Sequence, residues 1–478
     1  MMLQRREFLR ICTAGTAALV TGRPGATSRA AGNSATTKPN IVFILTDDLG
    51  YTDLSCYGAS NIKTPNLDRM AAEGLRLTDF HTPAGVCTPT RASLMTGCYP
   101  KRVGLHVAVL GPTDRKGLNP SEITLAELLR GQGYATGIIG KWHLGTRPEF
   151  LPTRQGFDYY YGMPGPNHGA SDLYRGEERL AANQDVNLDE WTATCTAEAV
   201  QFIKKSKGKP FFLYLAHGAP HIPLHASDRF RGKSARGLYG DVIEEIDWSV
   251  GEVLKTLRDE NLDQTTLVIF TSDNGPSGQA APPFHGGKGS TWEGGHVVPC
   301  IARWPGRVPA GQVSGGLLAM MDFYPTLARL GGARAPEDRI IDGLDFSTLL
   351  LGAAGARSPR ATLVYCARDG RMAAIREGKW KLHVDVPSER WAGKLPPEAL
   401  LDKKPTTPPP WLYDLETDVG ETRNLAAEHP EIVTRLRRLL EETDARLERE
   451  MRPAAVAPEA SGEPATRGPG NAKRKKAQ

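Results

Sequence analysis

At 478 residues and 40% hydrophobic content, the chain is long enough for one large domain plus a smaller one, and its bulk lies outside the compositions of disordered chains. The net charge of +5 sits at the ends: the first 31 residues hold five Arg against one Glu and the last 28 hold six Lys or Arg against two Glu, so the span between them is net acidic. A basic groove for nucleic acid is therefore unsupported, and no nucleic-acid partner is expected.

Residues 1–31 open with "QRREFLRICTAGTAALVTG", in which Arg5 and Arg6 precede a short run of small, mildly apolar residues. The pattern resembles a twin-arginine signal peptide, which implies the twin-arginine translocation machinery as a partner and a periplasmic or secreted destination. The run is too short and polar to span a bilayer, which takes roughly 20 apolar residues, and no transmembrane segment is expected elsewhere.

From residue 38 several segments share one plan, an apolar run that stops at polar side chains. "NIVFILTDDLG" predicts a strand from Asn40 to Leu45 that delivers Asp47 and Asp48. "VCTPTRASLMTG" predicts a helix starting at or near Cys87, with Pro89 in its first turn, where the missing N–H costs nothing, and Arg91 one turn on. Thr124 and Glu127 form a capping box for a helix carrying Leu125, Leu128 and Leu129 on one face. "YATGIIGKWHLG" delivers Lys141 and His143, and "PFFLYLAHGAPHIP" delivers His217 and His221. Val242, Ile246, Val250 and Leu254 repeat at helical spacing, and "TLVIFTSDNG" ends in Asp273 and Asn274. Lys288 follows in "FHGGKGSTWEGG", where glycines allow close backbone approach to a ligand.

Continuous apolar runs predict strands buried on both faces, so the fold class is α/β, a large mostly parallel sheet flanked by helices, spanning 38–354. In such sheets ligands bind beyond the carboxyl ends of the strands. After about residue 355 short strands and a closing amphipathic helix, "PEIVTRLRRLLEETDARLERE", predict a smaller C-terminal α+β subdomain over 355–450. A Pro-rich loop interrupts it, and residues 451–478 read as a disordered basic tail. Seven cysteines, at 12, 56, 87, 98, 195, 300 and 366, have no disulfide or zinc spacing, and most read as small buried apolar side chains.

Asp47, Asp48, Asp273 and Asn274 offer only hard oxygen donors, a set suited to Ca²⁺ or Mg²⁺ and not to zinc, with substrate or a modified residue completing the shell. Taken singly, each Asp reads equally as a cap or turn residue. A cysteine at a helix start meets unpaired N–H groups and the positive end of the dipole, which favour an anion.

"CTPTR" matches the Cys-x-Pro-x-Arg signature of type I sulfatases, members of the alkaline phosphatase superfamily whose signature cysteine is oxidised to formylglycine. "DDLGYTDLSCYG", "GKWHLG", "TSDNG", "GGKGSTWEGG" and "LYDLETDVGETRNLA" resemble further segments of that family, in its order, over roughly residues 38–427. The resemblance implies a sulfuric ester hydrolase acting on an organic sulfate, with a sulfated carbohydrate the expected substrate. It implies that Asp47, Asp48, Asp273 and Asn274, with the modified Cys87, hold calcium, magnesium being the alternative. It implies that a formylglycine-generating enzyme converts Cys87, that Arg91 and His143 stabilise the hydrated product, that Lys141 and Lys288 grip sulfate oxygens, and that His221 protonates the leaving alcohol. Thr90 stands where the family usually has Ser, and Cys98 where Arg is common. Two rivals stay open: a phosphodiesterase or phosphonate monoester hydrolase of the same superfamily, and a catalytically silent glycan-binding protein that keeps Cys87 as a thiol.

Overall fold

The four apolar runs that end in chemistry lie side by side. In the computed structural model, which describes residues 38–166, 171–278, 281–385 and 409–459, the main sheet has ten strands in the order Gln312–Ser314, Leu75–Leu77, Cys300–Arg303, Thr266–Ser272, Asn40–Thr46, Phe211–Ala216, Ala135–Lys141, Tyr159–Met163, Leu173–Arg175, Glu178–Ala181. The five strands from Thr266–Ser272 to Tyr159–Met163 are mutually parallel. Both flanks depart from the expected parallel pattern: Cys300–Arg303 and Leu75–Leu77 pair antiparallel on one side, and Leu173–Arg175 and Glu178–Ala181 on the other. The sheet is therefore mixed, with a parallel centre between antiparallel flanks.

The central strand explains its own sequence. Ile41, Phe43 and Leu45 pack on one face with Leu94, Met95, Leu125, Leu129 and Leu327, while Val42 and Ile44 pack on the other with Leu67, Met70, Cys195, Val250 and Leu254. All five strand residues have no exposed surface, and burying each such side chain stabilises the fold by roughly 1.5–3 kcal/mol. The helices Cys87–Thr96, Leu125–Gly131 and Phe323–Leu330 cover the first face. Pro65–Ala72, Trp191–Ser206 and Gly237–Asp259 cover the second. The capping box at Thr124 is formed: its hydroxyl accepts from the Glu127 N–H at 3.1 Å, and the Glu127 carboxylate accepts from the Thr124 N–H at 2.7 Å.

Past residue 355 the strands Thr362–Cys366, Met372–Glu377, Trp380–His383 and Trp411–Asp414 make an antiparallel sheet in chain order. Leu436, Leu440 and Leu447 of the helix Pro430–Arg449 pack on Leu363, Tyr365, Ile375, Leu382 and Leu412. Gly378 turns the second strand into the third with φ +55°.

The tail boundary needs correction. Residues 451–459, read from the sequence as disordered, pack instead: Arg452 pairs with Glu122 at 2.7 Å, and Ala455–Val456 bonds antiparallel to Lys116–Gly117. Two paired residues are too few to leave a period in the sequence. The export signal, residues 167–170, most of the Pro-rich loop and the chain beyond 459 lie outside the described residues. Among the described residues no helix is long and apolar enough to cross a membrane.

Candidate active site

Parallel strands in register end at one edge. Thr46 pairs with Ser272, Leu45 with Ala216, and Ala216 with Gly140, so Asp273, Asp47, His217 and Lys141 follow one another along that edge. Asp48 adopts φ +68°, a left-handed conformation that Asp tolerates better than most residues, and its carboxylate joins the same cluster.

The charges are tightly paired. The Lys141 ammonium donates to Asp47. Arg91 reaches Asp273 Oδ2 through Nε at 2.9 Å and its terminal nitrogen at 2.8 Å, lies 3.8 Å from Asp47, and donates to the Lys141 carbonyl at 3.0 Å. Lys288 donates to Asp48 at 2.8 Å, and Asn274 Nδ2 donates to Asp48 Oδ1 at 2.7 Å. Ligand atoms of Asp47, Cys87 and Asp273 lie within 4.8 Å of one another, as do those of Asp47, Asp48 and His221.

Three carboxylates in so small a buried volume shift one another. Burial alone would raise Asp47, but Lys141, His221, Arg91 and Lys288 hold it well below the usual carboxylate range. Burial, with Asp47 beside it, pushes Asp273 up. Burial would lower the Lys288 ammonium, and Asp48 holds it higher. A divalent cation fits this donor set: Asn274 Oδ1 is buried with no hydrogen-bond partner among the described residues, and a bare amide oxygen among carboxylates is the chemistry of Ca²⁺ or Mg²⁺.

Cys87 is the first residue of its helix and only 2% exposed. Burial pushes its thiol up, which the nearby Lys141 and Lys288 only partly offset, so as cysteine it stays protonated and a weak nucleophile at neutral pH. His143 is fixed by two contacts. Its Nε2 donates to the Leu110 carbonyl at 2.8 Å, and its own carbonyl accepts from Thr88, next to Cys87, at 3.1 Å. Its Nδ1 is buried without a hydrogen-bond partner among the described residues, and burial pushes its pKa well below the ordinary value, so the ring is neutral.

The two histidines of "HGAPHIP" separate by environment. His217 is buried against Ser249 at 3.2 Å, and burial lowers it to about 4, which makes it scaffold. His221 is half-buried, its Nδ1 donates to the Ile222 carbonyl at 2.6 Å, and its Nε2 lies 3.7 Å from Asp48. Burial lowers it, with Asp48 and Asp47 opposing.

Sequence reading missed a second buried network, behind the loop that carries Lys288. Glu293 binds His81 at 2.9 Å, Lys381 at 2.7 Å and the Tyr365 hydroxyl at 3.0 Å. Glu421 accepts from the Glu293 N–H at 2.7 Å and binds Lys381 at 3.0 Å and His383 at 2.7 Å. Both acids lie in segments quoted above, but nothing in their spacing announces that the C-terminal sheet supplies the cations.

A family profile described as Sulfatase matches residues 39–333, and one described as the C-terminal region of aryl-sulfatase matches residues 358–466. The chain is 41% identical over 434 residues to arylsulfatase A of Bos taurus, covering 83% of this chain and 85% of that protein. It is 40% identical over 386 residues to N-acetylgalactosamine-6-sulfatase of Canis lupus familiaris, covering 74% and 73%. The solved structure of PsFucS1 sulfatase from Pseudoalteromonas sp. matches with a TM-score of 0.76 at 29% identity, covering 88% of this chain and 92% of that one.

Proposed function

We propose, from the premise that the chain belongs to the sulfatase family, that its substrate is a sulfated carbohydrate and that it works with formylglycine at position 87 and calcium on Asp47, Asp48, Asp273 and Asn274. The carrying observation is the meeting of three carboxylates, three cations and the buried Cys87 at one sheet edge. The carbohydrate assignment is supported by the relative named for N-acetylgalactosamine 6-sulfate hydrolysis.

Formylglycine at position 87 would supply, as its hydrate, a hydroxyl nucleophile at sulfur, with the ester's alcohol as leaving group, and a second hydroxyl whose deprotonation would release sulfate. Calcium held by Asp47, Asp48, Asp273 and Asn274 would supply Lewis-acid charge to the site. The chain's own residues do the rest. Arg91, anchored to Asp273 and to the Lys141 carbonyl, holds the helix start against the strand edge. Lys141 and Lys288 bind sulfate oxygens, acting in a dry site where fixed charges need no reorganisation. His143 keeps Nε2 occupied by Leu110, leaving Nδ1 to accept a proton from the hydrate. His221 has its Nδ1 occupied by the Ile222 carbonyl, so Nε2 is the atom that passes a proton to the leaving alcohol. A formylglycine-generating enzyme modifies Cys87 before the twin-arginine machinery exports the chain to the periplasm or medium.

Three measurements on the purified protein test this. The peptide spanning residue 87 is expected to carry the aldehyde in active enzyme, and aryl sulfate is expected to be cleaved well ahead of an aryl phosphate diester. Calcium is expected to raise the melting temperature, as any ligand of the native state does, and Asn274→Ala to blunt that rise. Faster diester cleavage would favour the phosphodiesterase reading, and an inert protein with a plain thiol would favour the glycan-binding one.

A further inference from the structure

The helix that begins at Cys87 carries a threonine on each side of Pro89, and the two hydroxyls have different partners. Thr90 turns back: its hydroxyl donates to the Ala84 carbonyl at 2.9 Å, in the segment that leads into the helix. Thr88 reaches two other segments. Its hydroxyl donates to the His143 carbonyl at 3.1 Å and accepts from the Leu110 N–H at 3.1 Å. The Leu110 carbonyl in turn accepts from His143 Nε2 at 2.8 Å. These bonds close into a circuit in which Thr88, Leu110 and His143 each donate once and accept once, and all three residues are buried.

The circuit governs a residue whose backbone is strained. His143 has φ +61°, a left-handed conformation that persists in a residue with a Cβ only where its surroundings hold it. The Pro164 carbonyl accepts its N–H at 3.0 Å, and Thr88 holds its C=O, so both sides of the residue are fixed. The imidazole is fixed through the same hydroxyl at one remove. A carbonyl can only accept, so His143 Nε2 carries the proton and Nδ1 is left bare. Leu110 presents that carbonyl because its own N–H is anchored on Thr88. Elsewhere the loop leans on the strand end through the Thr146 hydroxyl, which donates to the Pro112 carbonyl at 3.0 Å, and the Leu118 N–H, which donates to the Leu144 carbonyl at 2.8 Å. Those contacts hold the far side of the loop; Thr88 holds the residue that touches the imidazole.

Lys141, Arg91 and Asp47 are among the charges felt at the His143 imidazole, which puts it among the groups of the strand-end site. We propose that Thr88 is a positioning residue for His143: through the Leu110 peptide it selects the Nε2–H tautomer and holds Nδ1 bare for the proton given up at position 87. The oxygen at position 87 keeps the electron pair, and the proton passes from Nδ1 to solvent. Cys87 and Thr88 are consecutive, so the helix start that presents the reacting position also sets the orientation of the base. This rests on the sulfatase reading of the site and goes beyond it by naming what fixes His143.

The test compares wild type, Thr88→Ser and Thr88→Val on an aryl sulfate, with and without His143→Ala. Position 88 lies inside the modification signature, so kcat is divided by the aldehyde content of the peptide spanning residue 87. Thr88→Val, which keeps the shape and loses the hydroxyl, is expected to lower kcat about 10- to 100-fold, the usual effect of a slightly misplaced reacting group, with KM little changed. Thr88→Ser is expected to restore most of that loss. In the His143→Ala background the Thr88→Val change should cost less than about threefold, because the partner it acts through is gone. An equal loss in both backgrounds, or no loss in either, overturns the proposal. A second readout needs no aldehyde: in protein with nitrogen-labelled histidine, left as Cys87, the resonance that His143→Gln removes reports the tautomer. Wild type and Thr88→Ser are expected to show Nε2–H alone and Thr88→Val a mixture; Nε2–H alone in all three overturns the proposal by itself. Aldehyde-bearing wild type that cleaves no sulfate ester overturns the sulfatase reading and this inference with it, whereas the other outcomes leave that reading intact.

Discussion

His221 and His217 stand four residues apart in one segment, and their different surroundings give them different experimental signatures. If His221 Nε2 protonates the leaving oxygen, His221→Gln is expected to slow cleavage of a sugar sulfate by about 10²- to 10⁴-fold, the range for a positioned acid. A nitrophenyl sulfate, whose leaving group needs no proton, should lose far less. Equal losses on the two substrates would remove His221 from that role. His217 reports on stability instead. It is held neutral down to about pH 4 in the folded protein, whereas an unfolded histidine takes its proton near 6.5. Between those values the unfolded chain binds the extra proton, so His217 makes the fold less stable as pH falls, by about 1.4 kcal/mol per unit. His217→Gln removes that dependence. Denaturant titrations at pH 6 and pH 4 should show the stability difference moving in the variant's favour by roughly 2 kcal/mol, and no movement would mean that His217 already carries a proton in the native state.

The loop 285–296 is the element on which Lys288 depends, and it is held from behind by the C-terminal sheet. Thr291 meets His383 at 3.2 Å and the Glu293 N–H meets Glu421 at 2.7 Å. Glu421→Ala leaves Lys381 and His383 short of a buried partner, which costs about 3–5 kcal/mol when one member of such a pair is removed. Glu421→Gln, which keeps an acceptor for the Glu293 N–H, should cost less. Thermal melts of the two variants check the order, and equal melting temperatures would show that the retained acceptor carries no weight and that the loss comes from the charge. The elements that position the strand-end site were legible because a strand buried on both faces leaves an unbroken apolar run, and "NIVFILT", "ATGIIGK", "FFLYLA" and "TLVIFTS" each do. Leu75–Leu77 and Gln312–Ser314 were not, since three residues set no period, nor was Ala455–Val456. The pairing of Glu293 with Lys381 stayed hidden for another reason: a buried ion pair between distant segments has no local sequence signature.

On the scale of the whole molecule, the described residues from Lys38 to Glu459 form one compact unit. The contacts that organise it span long stretches of chain: Ile41 is registered with Phe212 and Asn40 with Thr266. Topologies of this kind fold slowly, because distant segments must meet before any pairing is rewarded. As the chain leaves the ribosome, the strand Asn40–Thr46 emerges first of the sheet, yet it belongs in the middle, and neither neighbour exists until residues 211–216 and 266–272 have been made. At bacterial-type synthesis rates that wait is on the order of ten seconds or more. Throughout it five consecutive apolar side chains, Ile41 to Leu45, have no sheet to join, so a nascent chain of this protein offers holdase chaperones a long-lived target at its very start.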